Sequence, residues 1–480
     1  MTKKIILTIS ILLVAVFAVT LMVGCESYKN TKFAMDNADE SLSNGGSVVY
    51  HGEYVYFVNG FSDVLDDYKE NWFGNVTKGA IMRLKKGEVD MTKLEVIVPK
   101  AVYSTAANTG FSIYGDYIYY VTSSNDENRD GTINTSTLIF MRTRLDGQDT
   151  KVILELENGL SAQYKYTPNG LLYLLESKVY FKSTEGKIKT KDAGKVVAED
   201  VTSAIFPVST TYKKGEDNIA DYFFYTKSTT KTGDYTNELY VASANGSFTK
   251  KLIDKYTYTA NPDSDVKNAF SVSVVGTKDL GNGKLTMIYT KSYYASTSST
   301  GTATGTYMYT FNSTDFNFDK AAERRVSTET LSSMTIVDEN SLLTANGTLT
   351  YYTYVADKDV YNKDVFSTEY GKIENATVVG VNDGYAYLIV SNLFKRIKLD
   401  KTENIQTFGA DKVHVKFINP EIVVDGSNAY IYYFNDSKSK YLYRIDINSF
   451  SKATQEVDNI LFGIKTQADI DAEKKAEEKK

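Results

Sequence analysis

A chain of 480 residues, 42% of them hydrophobic, can bury a large core, so several domains or one large repeat architecture are expected. A formal charge of −6 leaves no basic field to hold nucleic acid, and only 5 prolines with ordinary glycine content exclude collagen-like and disordered classes. The single cysteine, Cys25, rules out an intrachain disulfide and a multi-cysteine metal site, while two histidines, His51 and His414, leave little room for zinc or histidine chemistry.

At the N-terminus Lys3 and Lys4 precede an apolar run from Ile5 to Val23 that ends in small residues. A basic start, an apolar stretch and a small-residue exit make a secretory signal over residues 1–24. Met22-Val23-Gly24-Cys25 resembles the lipobox of bacterial lipoproteins, with Met22 where leucine is commoner. That resemblance implies lipidation of Cys25, cleavage after Gly24 and a body held at the cell membrane outside the cytoplasm. Two acyl chains, at about 0.8 kcal/mol per buried methylene, suffice for stable anchoring. The alternative is an uncleaved anchor helix with an incidental cysteine. Residues 25–45 are polar and without strand pattern, and read as a tether.

From residue 46 to 463 one unit returns. Tyr54-Val55-Tyr56-Phe57-Val58 is followed by Ile81-Met82-Arg83-Leu84 and Val96-Ile97-Val98. Tyr117-Ile118-Tyr119-Tyr120-Val121 leads to Leu138–Arg142 and Val152-Ile153-Leu154, and Tyr430-Ile431-Tyr432-Tyr433-Phe434 leads to Leu442-Tyr443-Arg444-Ile445-Asp446. Weaker copies centre on Leu172, Phe223, Met287, Tyr351 and Tyr387. Turn pairs such as Gly115-Asp116, Asn169-Gly170, Asn346-Gly347, Asp383-Gly384 and Asp425-Gly426 flank these runs and tolerate the positive φ of tight hairpins. The 38 tyrosines against a single tryptophan, with recurrent Val, Ile and Thr, make a strand-forming composition.

Short strands at a repeat of roughly 40–60 residues, without helical periodicity, predict an all-β propeller. The runs are apolar or aromatic at consecutive positions, as a strand covered on both faces requires; a membrane barrel strand would alternate. Tandem sandwiches are the competing fold. About eight second-strand candidates favour eight four-stranded blades, with seven plus an insertion as the alternative, because the copy at Tyr351 is short. Residues 464–480, almost wholly Ala, Asp, Glu and Lys over their last stretch, form a charged tail with no apolar face to dock.

The Tyr-Ile-Tyr-Tyr run at 117–120, its echo at 430–433 and Leu-Tyr-Arg-Ile-Asp at 442–446 resemble bacterial propellers of a domain of unknown function likened to the propeller of LDL-receptor-related proteins. The receptors' Tyr-Trp-Thr-Asp signature is absent, Trp72 being the sole tryptophan, so their ligand-binding residues do not carry over. WD-repeat and kelch signatures are missing too.

The sharpest local chemistry is Asp126-Glu127-Asn128-Arg129-Asp130-Gly131-Thr132-Ile133-Asn134. Oxygen donors on Asp126, Asn128, Asp130 and Asn134, with the Thr132 carbonyl, have the spacing of a calcium-wrapping loop between two strands of one repeat. An ordinary polar hairpin tip has the same composition. His51 and His414 read as structural strand residues. No nucleophile elbow, zinc-binding helix motif or phosphate loop occurs, which argues against an enzyme. The expectation is therefore a monomeric binding or scaffolding module for a protein, peptide or glycan. A polysaccharide-active enzyme with channel carboxylates, and a structural envelope-assembly factor, are the alternatives.

Overall fold

A computed structural model describes residues 46–447 apart from gaps, the longest being 60–71, 103–109, 124–135, 209–218, 260–268, 295–303, 409–417 and 435–441, together with Lys475. Cys25, the tether and His414 lie outside the described residues, as does the tail apart from Lys475.

The chain forms an eight-bladed β-propeller. Seven antiparallel sheets of four consecutive strands span 48–98, 112–156, 163–199, 201–259, 269–327, 334–365 and 377–407, and an eighth at 418–446 shows three strands among the described residues. Numbered in that order, the first strands of blades 4 to 8 lie side by side in sequence, and that of blade 8, Ile418–Asp425, lies against that of blade 1, Val48–His51. The ring is thereby closed. A small hairpin, Trp72–Phe73 with Val76–Thr77, is inserted between the second and third strands of blade 1.

The second strands are the covered ones, as the continuous tyrosine-rich runs predict. Tyr56, Phe57, Leu172, Tyr173, Phe223, Phe224, Tyr387 and Tyr432 are all buried. Blade 6 departs from the expected reading. Its second strand is Ser341–Thr344, and the Tyr351-Tyr352 run belongs to the third strand, Thr350–Val355. The Asn346-Gly347 turn therefore joins strands two and three. Leu342 and Leu343 fill the buried positions that tyrosines hold elsewhere.

Four blades repeat one side-chain device. Each second strand carries Tyr-x-Tyr, and the third strand sets an arginine opposite the second tyrosine: Arg83 opposite Tyr56, Arg142 opposite Tyr119, Arg396 opposite Tyr387 and Arg444 opposite Tyr432. Each guanidinium then lies over the first tyrosine's ring, 4.4 Å from Tyr54, 4.5 Å from Tyr117, 4.5 Å from Tyr385 and 4.3 Å from Tyr430. Two of these arginines reach into the next blade at equivalent places. Arg83 Nη1 donates to the Leu145 carbonyl (2.9 Å) and Arg396 Nη1 to that of Ile447 (3.3 Å); both acceptors lie three residues beyond the next blade's own arginine. Blades 3, 4 and 5 instead stack two tyrosines across the same strand pair: Tyr173 on Tyr180 (4.9 Å), Tyr225 on Tyr240 (5.2 Å) and Tyr289 on Tyr307 (5.6 Å).

Side chains also lace the seam between blades 8 and 1. The Tyr50 and Tyr432 hydroxyls are 2.6 Å apart, Arg444 Nη1 donates to Tyr50 (3.4 Å), and Lys86 pairs with Asp425 (2.7 Å). Glu421 accepts the N–H of Ser47 at 2.9 Å and also that of Val48. Gly110, at φ 67°, brings its backbone so close to the Gly46 carbonyl that an added Cβ would sit 1.7 Å away; the next residue, Phe111, bridges to Gly46.

Two outcomes are expected. Arg83 is 1% exposed and also donates to Glu95 at 2.6 Å, so Arg83→Met strands a carboxylate and a buried carbonyl. It should cost about 2–4 kcal/mol in urea unfolding, whereas Lys85→Ala, which removes an exposed pair with Glu53, should stay within about 0.5 kcal/mol. Burial pushes Glu421 up to about 7 despite its two N–H donors. A carboxyl raised in the folded state favours folding below its ordinary pKa, and that contribution fades as pH rises through 7. Glu421→Gln should therefore flatten the fall in melting temperature between pH 5 and 8; an unchanged pH profile would remove Glu421 from the seam's energetics.

Candidate functional site: the two faces of the ring

Consecutive antiparallel strands place all first-to-second and third-to-fourth connections on one face of the ring. All second-to-third and blade-to-blade connections lie on the other. On the first face the first-to-second connections of seven blades are tight turns, while that of blade 4 spans 206–221. Gly52, Gly115 and Gly426 have positive φ there, and Asp383-Gly384 has φ of 48° and 74°, the pattern of a type I′ hairpin. Turn carboxylates are spent on neighbouring N–H groups, as Asp279 on Gly281 (2.8 Å) and Asp338 on Asn340 (2.7 Å).

The other face is uneven. Blade 4 carries ten-residue strands, Tyr222–Lys231 and Asp234–Ser243, and blade 5 strands of thirteen and eleven residues, Ala269–Gly281 and Lys284–Tyr294; the second strand of blade 6 has four. In blade 4 the half near Tyr222 and Ser243 is buried, while Lys231, Asp234 and Tyr235 at the hairpin end are exposed. The strands therefore rise above the ring as a rim. Ser228 donates to Asn237 (2.6 Å) and the Thr236 and Thr257 hydroxyls are 3.0 Å apart, which laces the raised sheet without an apolar core. Tyr235, 38% exposed, is its aromatic contact point. Asp126, Asn128, Asp130, Thr132 and Asn134 fall in sequence between the strands Tyr117–Ser123 and Leu138–Arg144 and lie outside the described residues.

On the tight-turn face the channel mouth gathers groups from three blades. Lys165, on the innermost strand of blade 3, donates to the Pro207 carbonyl in blade 4. Desolvation brings its ammonium down to about 7, although Asp279 of blade 5 and Asp221 of blade 4 both favour the charged form. Asp221 is fully buried and accepts from Asn169 Nδ2 at 2.7 Å, tying blade 4 to the first turn of blade 3. Lys165 thus links blades 3 and 4 at the channel mouth. Sequence reading missed Lys165 because its partners come from two later blades.

A second buried charge cluster joins blades 4 and 5. Lys291 pairs with Asp254 and Glu323, each at 2.7 Å, and lies 4.2 Å from the Tyr307 ring centre. Tyr289 donates to Glu323, and burial with that neighbouring carboxylate drives its phenol far above the ordinary range. The cluster braces the base of the raised strands. His51 is buried at the end of its strand, 6.3 Å from the Tyr56 ring centre, and burial with Lys86 nearby lowers it to about 4. It is a neutral packing residue at physiological pH, as its strand-end position predicts.

For the channel mouth, the Lys165 side chain labelled with ¹³C at Cε should titrate near pH 7, against about 10 for exposed lysines. Asp279→Asn removes an anion that favours the ammonium, so the midpoint should move lower still. A midpoint near 10 would show Lys165 to be an ordinary solvated lysine.

No family model matches the chain, and no curated protein matches it. Among solved structures it is similar to the WD40 domain of SCAP from fission yeast, at 12% identity and a TM-score of 0.27. The likeness covers 72% of this chain and 65% of that one, so the chain spans just under two thirds of its neighbour. The eight-bladed architecture rests on the strand pairing of this chain itself.

Proposed function

We propose that this protein is a lipid-anchored, extracytoplasmic β-propeller that binds a protein, peptide or glycan through its uneven face. The observation that carries the reading is the asymmetry of the ring. On one face the first-to-second connections of seven blades are tight turns, with carboxylates such as Asp279 and Asp338 engaged locally, while the other carries the raised strands of blade 4 with Tyr235 exposed at the rim. Propellers offer exposed loop faces as rigid platforms for recognition. Anchoring is supported by Lys3-Lys4, the apolar run and Met22-Val23-Gly24-Cys25. Calcium held by Asp126, Asn128, Asp130, Thr132 and Asn134 would brace a loop, since all five supply the oxygen donors that ion takes. A polysaccharide-active enzyme would draw on Asp221 and Asp279 at the channel mouth. Their engagement by Asn169 and Gly281 favours the binding reading.

Cys25→Ser should abolish metabolic labelling with palmitate and release the chain from the membrane fraction; retention would instead support an uncleaved anchor helix. For the binding face, the immobilised full chain should retain surface peptides or cell-wall glycans, and Tyr235→Asp should reduce that retention at least fivefold with an unchanged melting temperature. Equal retention by both forms would overturn the assignment of the raised rim.

A further inference from the structure

The outer wall of the ring holds a second candidate surface, away from both faces. Blade 3 ends in the strand Lys195–Glu199, which pairs on one side with Lys178–Ser183 and, among the described residues, with no strand on the other. Beside that open edge runs a groove of about 410 Å³ between blades 3 and 4, whose lining includes Val196, Val197, Glu199, Asp200, Lys227 and Lys250. Edge strands are ordinarily blunted by charge or cover. Here the charges sit only at the strand's ends, and Val196, its second residue, is 36% exposed. Leu252, 48% exposed, lies on the outer strand of the facing blade.

The electrostatics are local and opposite to those of the whole chain. Asp200 is held by Lys227 at 2.6 Å and Glu199 by Lys178 at 3.5 Å. Lys195 and Lys250 have no carboxylate partner among the described residues, and Lys250 is positioned 4.8 Å over the Tyr240 ring. Lys250 in the groove's lining and Lys195 on the edge strand itself are therefore two unneutralised lysines in a protein of net charge −6. An open strand edge supplies backbone hydrogen bonds, exposed Val196 and Leu252 suit alternate apolar side chains, and the two lysines suit carboxylates.

We propose that this groove takes an extended acidic peptide, which adds as a fifth strand to the outer edge of blade 3. The five residues of that edge, at about 3.3 Å each, would pair with a peptide segment of similar length. The inference rests on the binding reading above but concerns a different surface, so the two fail separately.

The test uses the full chain in detergent micelles and fluorescein-labelled, end-capped peptides read by fluorescence anisotropy at low salt. One peptide alternates valine with glutamate, a second valine with lysine, and a third repeats the first with a central proline. The glutamate peptide should bind at least tenfold more tightly than the lysine peptide, and the proline peptide at least fivefold more weakly than its parent. The double variant Lys195→Glu/Lys250→Glu should reverse the charge preference, a gain that an unfolded variant could not produce. Equal affinities, no binding, or a preference untouched by the double variant would overturn the proposal. So would a concentration-dependent dimer that the glutamate peptide fails to dissolve, which would make the edge a contact between copies. The Tyr235→Asp rim variant should bind the glutamate peptide normally.

Discussion

A ring of eight sheets has no single core, so its integrity depends on what crosses from one blade to the next. With Cys25 the one cysteine of the sequence, no disulfide within the chain can make that crossing. The recurrent solution is a polar group carried on an aromatic bed. Arg83 lies over Tyr54, is faced by Tyr56 and delivers a hydrogen bond to Leu145 in blade 2, so a buried cation finds an aromatic face, a carboxylate and a carbonyl at once. Full satisfaction is what makes a buried charge tolerable. Tyr166 does the same with a phenol. Its hydroxyl reaches back from blade 3, donating to the Tyr120 carbonyl (2.8 Å) and accepting from the Met141 N–H (3.1 Å). Rings such as Tyr114 and Tyr166 supply apolar area to one blade and a polar tip to its neighbour, which phenylalanine could not do.

The seam between blades 8 and 1 is the place where this economy is under most strain, because no chain connection supports it. Glu421, Tyr50, Tyr432, Arg444, Lys86 and Asp425 all meet there. The carboxyl of Glu421 satisfies the backbone of the entering chain at Ser47 and Val48, yet its burial works against its own charge. Closure is thus coupled to pH through one group, in the range around 7.

The architecture was legible because consecutive apolar residues are required wherever a strand is covered on both sides, and Tyr54–Val58, Tyr117–Val121 and Tyr430–Phe434 state that directly. Blade 6 was misread because its covered second strand is short and leucine-bearing while its tyrosines moved to the next strand. The arginine device was hidden for a different reason. Tyr56 and Arg83 are 27 residues apart, yet Tyr387 and Arg396 occupy the same relation across a tight turn, so the pair is constant in register and variable in spacing. Lys165 with Asp221 and Asp279, and Lys291 with Asp254 and Glu323, could not be found from any local pattern, since each set is assembled from different blades or from different strands of one blade.

The distribution of these devices divides the ring in two. Blades 7, 8, 1 and 2 are contiguous across the seam and all carry Tyr-x-Tyr with its arginine, a cation pinned by ring and hydrogen bond. Blades 3, 4 and 5 replace the arginine with a second tyrosine, and it is these blades that carry the lengthened strands, Lys165, Lys291 and the open-edged groove. A stacked tyrosine pair fills the space between strands without committing a charge there, which leaves lysines and carboxylates of this half to be placed at the channel mouth, between blades and along the groove. One half of the ring spends its cations on holding the frame. The other places Lys250 along the groove, Lys165 at the channel mouth and Lys291 in a buried cluster, the last two joining neighbouring blades instead of pinning strands within one.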